Sequence, residues 1–139
     1  MKNFTYRKKD PLHLPDLKKA GWISAFQARE VNLPHLENCG VVDASEAFKI
    51  NLPQLKESGS LVLSSADKIY LPQLKKCRSI EAESATEIYL PELEECDHII
   101  APKVVVFDAP KLKTHGKIPK QFKPKPETMK TFKDFLGEL

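Results

Sequence analysis

The sequence predicts a mainly β protein: a parallel solenoid of 19-residue coils, followed by a short C-terminal α-helix. Three observations carry that expectation. Prolines fall at Pro15, Pro34, Pro53, Pro72, Pro91 and Pro110, each 19 residues after the last. Leucine precedes the first five, Ala109 precedes the sixth, and a leucine stands two residues after every one, from Leu17 to Leu112. Superposing the units leaves seven columns of apolar or small residues two or three positions apart, which are the candidate core.

The N-terminal residues 1–10 are polar and precede the first complete unit, so they are expected to cap the solenoid. From residue 11 to residue 120 each unit contains two places where inward residues are two apart, as in Ile80-x-Ala82 and Ile88-x-Leu90. A period of two is the strand signature, so each coil carries two short strands. The remaining columns are three apart, the spacing expected of corners. No helix of useful length fits a 19-residue circuit that already holds two strands and their turns.

Proline has no amide donor, so it fits just after the Ile-x-Leu strand, where the chain leaves the ladder. Glycine follows the small-residue column at Gly21, Gly40, Gly59 and Gly116, where a tight left-handed corner is expected. Arg78 occupies the same place in its unit and predicts a differently shaped turn there. After Ile118 the run Pro119 to Pro126 reads as an extended linker. Met129, Phe132, Phe135, Leu136 and Leu139 then recur at helical spacing, so residues 121–139 read as linker plus amphipathic helix. That helix is expected to fold back as a cap on the last coil; the alternative is exchange between subunits, giving a homodimer.

The string Cys77-x-x-Ile80, then Ile88-x-Leu90-Pro91-x-Leu93-x-x-Cys96, resembles leucine-rich repeats, most of all the bacterial class that combines an Ile-x-Ile-Pro strand with a recurrent cysteine. It is also similar to short-repeat proteins of bacteria and phages with an Ala/Leu-Pro-x-Leu unit. The resemblance covers about residues 11–120. It implies a right-handed coil and a ligand-binding role in general, and it carries over no catalytic residue. The asparagine ladder of ordinary leucine-rich repeats is absent, because the Leu17-to-Leu112 column occupies its place.

With 139 residues the chain has the length of one domain. Its net charge of +3 is unevenly spread. Residues 1–20 carry six basic against two acidic groups, residues 110–139 carry eight against three, and the middle carries eight against fourteen. No stretch approaches the roughly 18 apolar residues of a membrane helix, nor does the start read as a secretion signal. A cytoplasmic protein is expected.

Catalytic and metal chemistry find little support. Cys39, Cys77 and Cys96 occupy the column that elsewhere holds Ala20 and Ser58, so they read as small core residues. Stacking one coil apart could bring Cys77 and Cys96 towards disulfide geometry, but a structural role is the expectation for all three cysteines. His13, His35, His98 and His115 occupy four different positions in the unit and do not converge. No phosphate loop or nucleophile elbow is present, and neither an enzymatic activity nor a cofactor is expected.

Binding is better supported. The outward column of the Ile-x-Leu strands runs His13, Asn32, Asn51, Tyr70, Tyr89, Asp108, flanked by Lys49, Lys68 and Glu87. Tyrosine on a rigid exposed sheet is a frequent contact residue, so Asn32, Asn51, Tyr70, Tyr89, Lys49, Lys68 and Glu87 form the candidate surface for a partner protein. The alternative is a nucleic-acid partner held by phosphate contacts from Lys111, Lys113, Lys117, Lys120, Lys123 and Lys125. Only Phe122 interleaves an aromatic among those lysines, and the acidic middle repels a duplex.

Overall fold

The structure is a computed structural model that describes residues 2–113 and 118–119. The described residues form a parallel β-solenoid of about six coils, and twelve strands alternate along them. In chain order these are β1 (Phe4–Thr5), β2 (Leu12–His13), β3 (Lys19–Ser24), β4 (Glu30–Asn32), β5 (Asn38–Asp43) and β6 (Lys49–Asn51). They continue as β7 (Glu57–Val62), β8 (Lys68–Tyr70), β9 (Lys76–Glu81), β10 (Glu87–Tyr89), β11 (Glu95–Ile100) and β12 (Val106–Asp108). The helix expected within residues 121–139 lies outside the described residues, as does the question of what it covers.

One side of the body is a continuous six-stranded sheet, β1-β3-β5-β7-β9-β11. Every pairing in it joins residues 19 apart, as in Ile80 with Leu61 and with Ile99. The sequence repeat is therefore the sheet register. Short strand β1 pairs with β3 through Phe4 and Ile23, so the polar N-terminal residues add an edge strand to this sheet. Asn3 completes that edge, its Oδ1 accepting from the Trp22 amide at 3.0 Å.

The apolar columns are the core. Ile23, Val42, Leu61, Ile80 and Ile99 are buried in one file, and Leu33, Leu52, Leu71 and Leu90 in another. Small apolar side chains line the corners, alanine at Ala28, Ala47, Ala66 and Ala85 and valine at Val104. Each of the six repeat prolines, Pro15 to Pro110, stands in the turn after the short strand, where no ladder bond is lost.

Two local expectations need correction. The small-residue column is not at a corner: Cys77 and Ile80, three apart, share the six-residue strand β9. The strand accommodates that spacing because its pairing skips one residue, Arg78 opposite Asp97, which lets the next inward side chain regain its face. Glycine is not present for a left-handed turn either, since no described glycine and no other described residue has positive φ. A Cβ on Gly40 would run into the carbonyl oxygen of Gly21, and one on Gly59 into that of Gly40. Close approach of stacked backbones, not a turn, demands glycine there. Arg78 accordingly continues the strand and makes no distinct turn.

Candidate functional site

The short strands build a lateral face on the side away from the six-stranded sheet. Inward residues Val31, Ile69 and Ile88 anchor them, and period two turns the residues on either side outward. The expected contact residues all reach this face but fall into two groups. Asn32, Lys49 and Asn51 lie on the sheet β2-β4-β6, whereas Lys68, Tyr70, Glu87 and Tyr89 lie on the sheet β12-β10-β8.

In the first group the polar side chains turn towards one another. Asn51 Nδ2 donates to Asn32 Oδ1 at 2.6 Å, and Asn32 Nδ2 stands 3.0 Å from His13 Nδ1. In the second group the two tyrosines differ. Tyr89 is half-buried and its hydroxyl donates to Glu87 Oε1 at 2.5 Å, a bond that raises the phenol above its ordinary value. Tyr70 is 60% exposed and stands open to solvent.

Between the groups the lateral sheet is interrupted. At neighbouring coils Phe48 N donates to Arg29 O at 2.9 Å and Thr86 N to Asp67 O at 2.8 Å, but the equivalent amide of Asp67 makes no such bond. Likewise Leu33 N donates to Asn51 O at 3.0 Å and Leu71 N to Tyr89 O at 3.1 Å, whereas Leu52 N has no counterpart bond. The charge pattern also changes at this step. Lys49 leans back to Glu30 at 3.8 Å and Lys68 leans forward to Glu87 at 3.5 Å, which leaves two lysines opposed across the gap. Like charges directly opposite weaken strand pairing.

The interruption opens a depression of about 550 Å³ lined by Phe48, Lys49, Ile50, Asn51, Asp67 and Lys68 with β4 beside it. Ile50 is only half-buried there, while its column mates Val31 and Ile69 are buried. Phe48 is 53% exposed at its edge. Neither the gap nor Phe48 was among the sequence-based expectations. The adjacent like charges Lys49 and Lys68, 19 apart, were the signal that could have found it.

A second concavity of about 700 Å³ runs along the solenoid axis where the long strands begin. Cys39 and Cys77 lie in its floor beside Gly40 and Ser58, and Lys76, Arg78, Glu95 and Asp97 stand along its walls. Burial pushes the Cys39 thiol up from 9.0 to about 11. The contact with Cys96, reinforced by burial, holds the Cys77 thiol well above its ordinary range. Among the described residues no group of His, Cys, Asp and Glu converges as a metal site. His35, for example, is engaged with the Pro15 carbonyl at 2.7 Å.

Of the lysines considered for phosphate contact, Lys111 is held by Glu92 at 2.9 Å, a pairing that raises the ammonium and lowers the carboxyl. Lys113 borders a depression of about 260 Å³ whose other walls are Glu94, Glu95 and Asp97. Lys117, Lys120, Lys123 and Lys125 lie outside the described residues. No described helix is long and apolar enough to cross a membrane.

Comparison of the chain with protein-family models, curated proteins and solved structures finds no match. The regularity of its own coil is therefore what defines its class.

Proposed function

We propose that this chain is a non-catalytic scaffold, of a leucine-rich-repeat-like type, that binds a partner protein through its lateral strand face in the cytoplasm. The observation that carries the reading is the exposed ring of Tyr70 on β8, the strand that borders the interruption, with Phe48, Lys49 and Lys68 lining the depression there. A large ring on a rigid strand loses little conformational freedom on binding, and aromatic anchors dominate many interfaces. The unpaired amides of Leu52 and Asp67 add main-chain donors that an extended partner segment could satisfy.

A photoreactive amino acid placed at position 70 tests this in extract of the native host, with position 81 on the opposite sheet as control. The expected result is a discrete protein adduct from position 70 alone. Its purified partner then binds at least tenfold more weakly to Tyr70→Ala. Equal adducts from both positions, or none from either, would refute the assignment of the face. Capture of nucleic acid, with affinity falling steeply as salt rises, would transfer the function to the lysines.

A further inference from the structure

We propose that Cys77 and Cys96 are a covalent modification site: a reversible disulfide formed in the folded solenoid by a peroxide oxidant. The two residues are register partners in adjacent strands β9 and β11. Neighbouring strands lie about 4.8 Å apart, inside the roughly 4.4–6.8 Å between α-carbons that a disulfide spans. The sulfurs are already 2.8 Å apart. Bond formation therefore needs side-chain adjustment and no rearrangement of the coil.

The same column explains why one pair is selected from three cysteines. Cys39 is the register partner of Ser58, which in turn is the partner of Cys77. Two strand spacings, about 9.6 Å, therefore separate Cys39 from Cys77, beyond the roughly 7 Å limit for a bridge without backbone movement. Serine at position 58 isolates Cys39 from the reactive pair.

Access sets the order of events. Cys77 is 8% exposed and lies in the floor of the axial groove, whereas Cys96 is fully enclosed, its sulfur 3.4 Å from the His98 carbonyl. Peroxide reaches Cys77. Its thiolate attacks one peroxide oxygen, the O–O bond breaks, and hydroxide leaves, giving a sulfenic acid. The Cys96 sulfur then attacks the Cys77 sulfur, the S–O bond breaks, and water leaves with the Cys96 proton. Two thiols and one hydrogen peroxide yield one disulfide and two waters. A dithiol reductant returns the two electrons and restores both thiols. The raised Cys77 thiol makes the first step slow, so the pair responds to sustained rather than brief oxidant exposure.

The bond ties the coil containing Cys77 to the next and closes a 19-residue loop in the unfolded chain. By loop-closure entropy this raises the melting temperature by about 10 °C. The test uses the full reduced chain incubated with hydrogen peroxide for hours, followed by alkylation of remaining thiols, intact mass measurement and peptide mapping. The expected product has Cys77 joined to Cys96, the alkyl group on Cys39 alone, and full reversal by dithiothreitol. Cys39→Ala should cross-link as the parent does. In Cys96→Ala, Cys77 should instead be trapped by dimedone as sulfenic acid. Alkylation of both Cys77 and Cys96 after oxidation, or a bond that includes Cys39, would overturn the proposal.

Discussion

Replacing Ile80 by alanine gives the sharpest test of how the solenoid is held together. Ile80 is fully buried on β9, the fifth strand of the six-stranded sheet, with Leu61 on one side and Ile99 on the other. The substitution removes three carbons, worth about 2.4 kcal/mol at about 0.8 kcal/mol for each buried carbon. The strands on both sides are fixed by continuous ladders, so the void does not collapse and a cavity term raises the loss to about 3–4 kcal/mol. Leu17 is the internal comparison: it belongs to an apolar column too, but in the first coil it is only half-buried. Leu17→Ala should cost less than about 2 kcal/mol, because part of that side chain already meets water. Urea unfolding followed by circular dichroism, with both slopes required to match the parent, measures the difference. If Ile80→Ala costs under about 0.5 kcal/mol, or no more than Leu17→Ala, the assignment of the inward columns is wrong.

Other outcomes follow from the same geometry. Gly40→Ala and Gly59→Ala should each destabilise by about 1–3 kcal/mol, because the new methyl meets a backbone carbonyl of the preceding coil. Gly21→Ala should be milder, since its methyl meets the movable side chain of Asn3; equal losses in melts of all three would refute the close-approach account. The double exchange Glu30→Lys with Lys49→Glu keeps that ion pair but sets a carboxylate opposite Lys68. Hydrogen exchange at the Leu52 and Asp67 amides should then slow at least tenfold, and unchanged rates would mean that charge does not cause the interruption. The raised Cys39 thiol makes a stability contribution that is complete below pH 9 and is lost as pH rises towards about 11. Cys39→Ala should flatten that part of the stability profile in urea melts between pH 8 and 11; an unaltered profile would place the titration elsewhere.

The face of nearly every inward residue could be read from the sequence because a stacked coil repeats one environment. Ile69, Ile80 and Ile88 are each buried as their columns require. The candidate contact face was legible only as a column of outward residues. Asn32, Asn51, Tyr70 and Tyr89 are equivalent by spacing, yet the asparagines bond to each other, Tyr89 bonds to Glu87 and only Tyr70 stands free in solvent. Which of several equivalent positions remains open depends on neighbours one coil away, and a column read singly does not contain that information.

A period of 19 was enough to specify a parallel coil, its register and its core, since burial of one face and the strand period of two admit no other stacking. Chain packing in three dimensions settled three further matters: where the lateral sheet breaks, why glycine is needed at Gly40 and Gly59, and how near Cys77 comes to Cys96. The physical reason is common to all three. Each depends on the distance between successive coils at one place, a balance of opposed charges, backbone contact and side-chain size that no single unit of the repeat encodes.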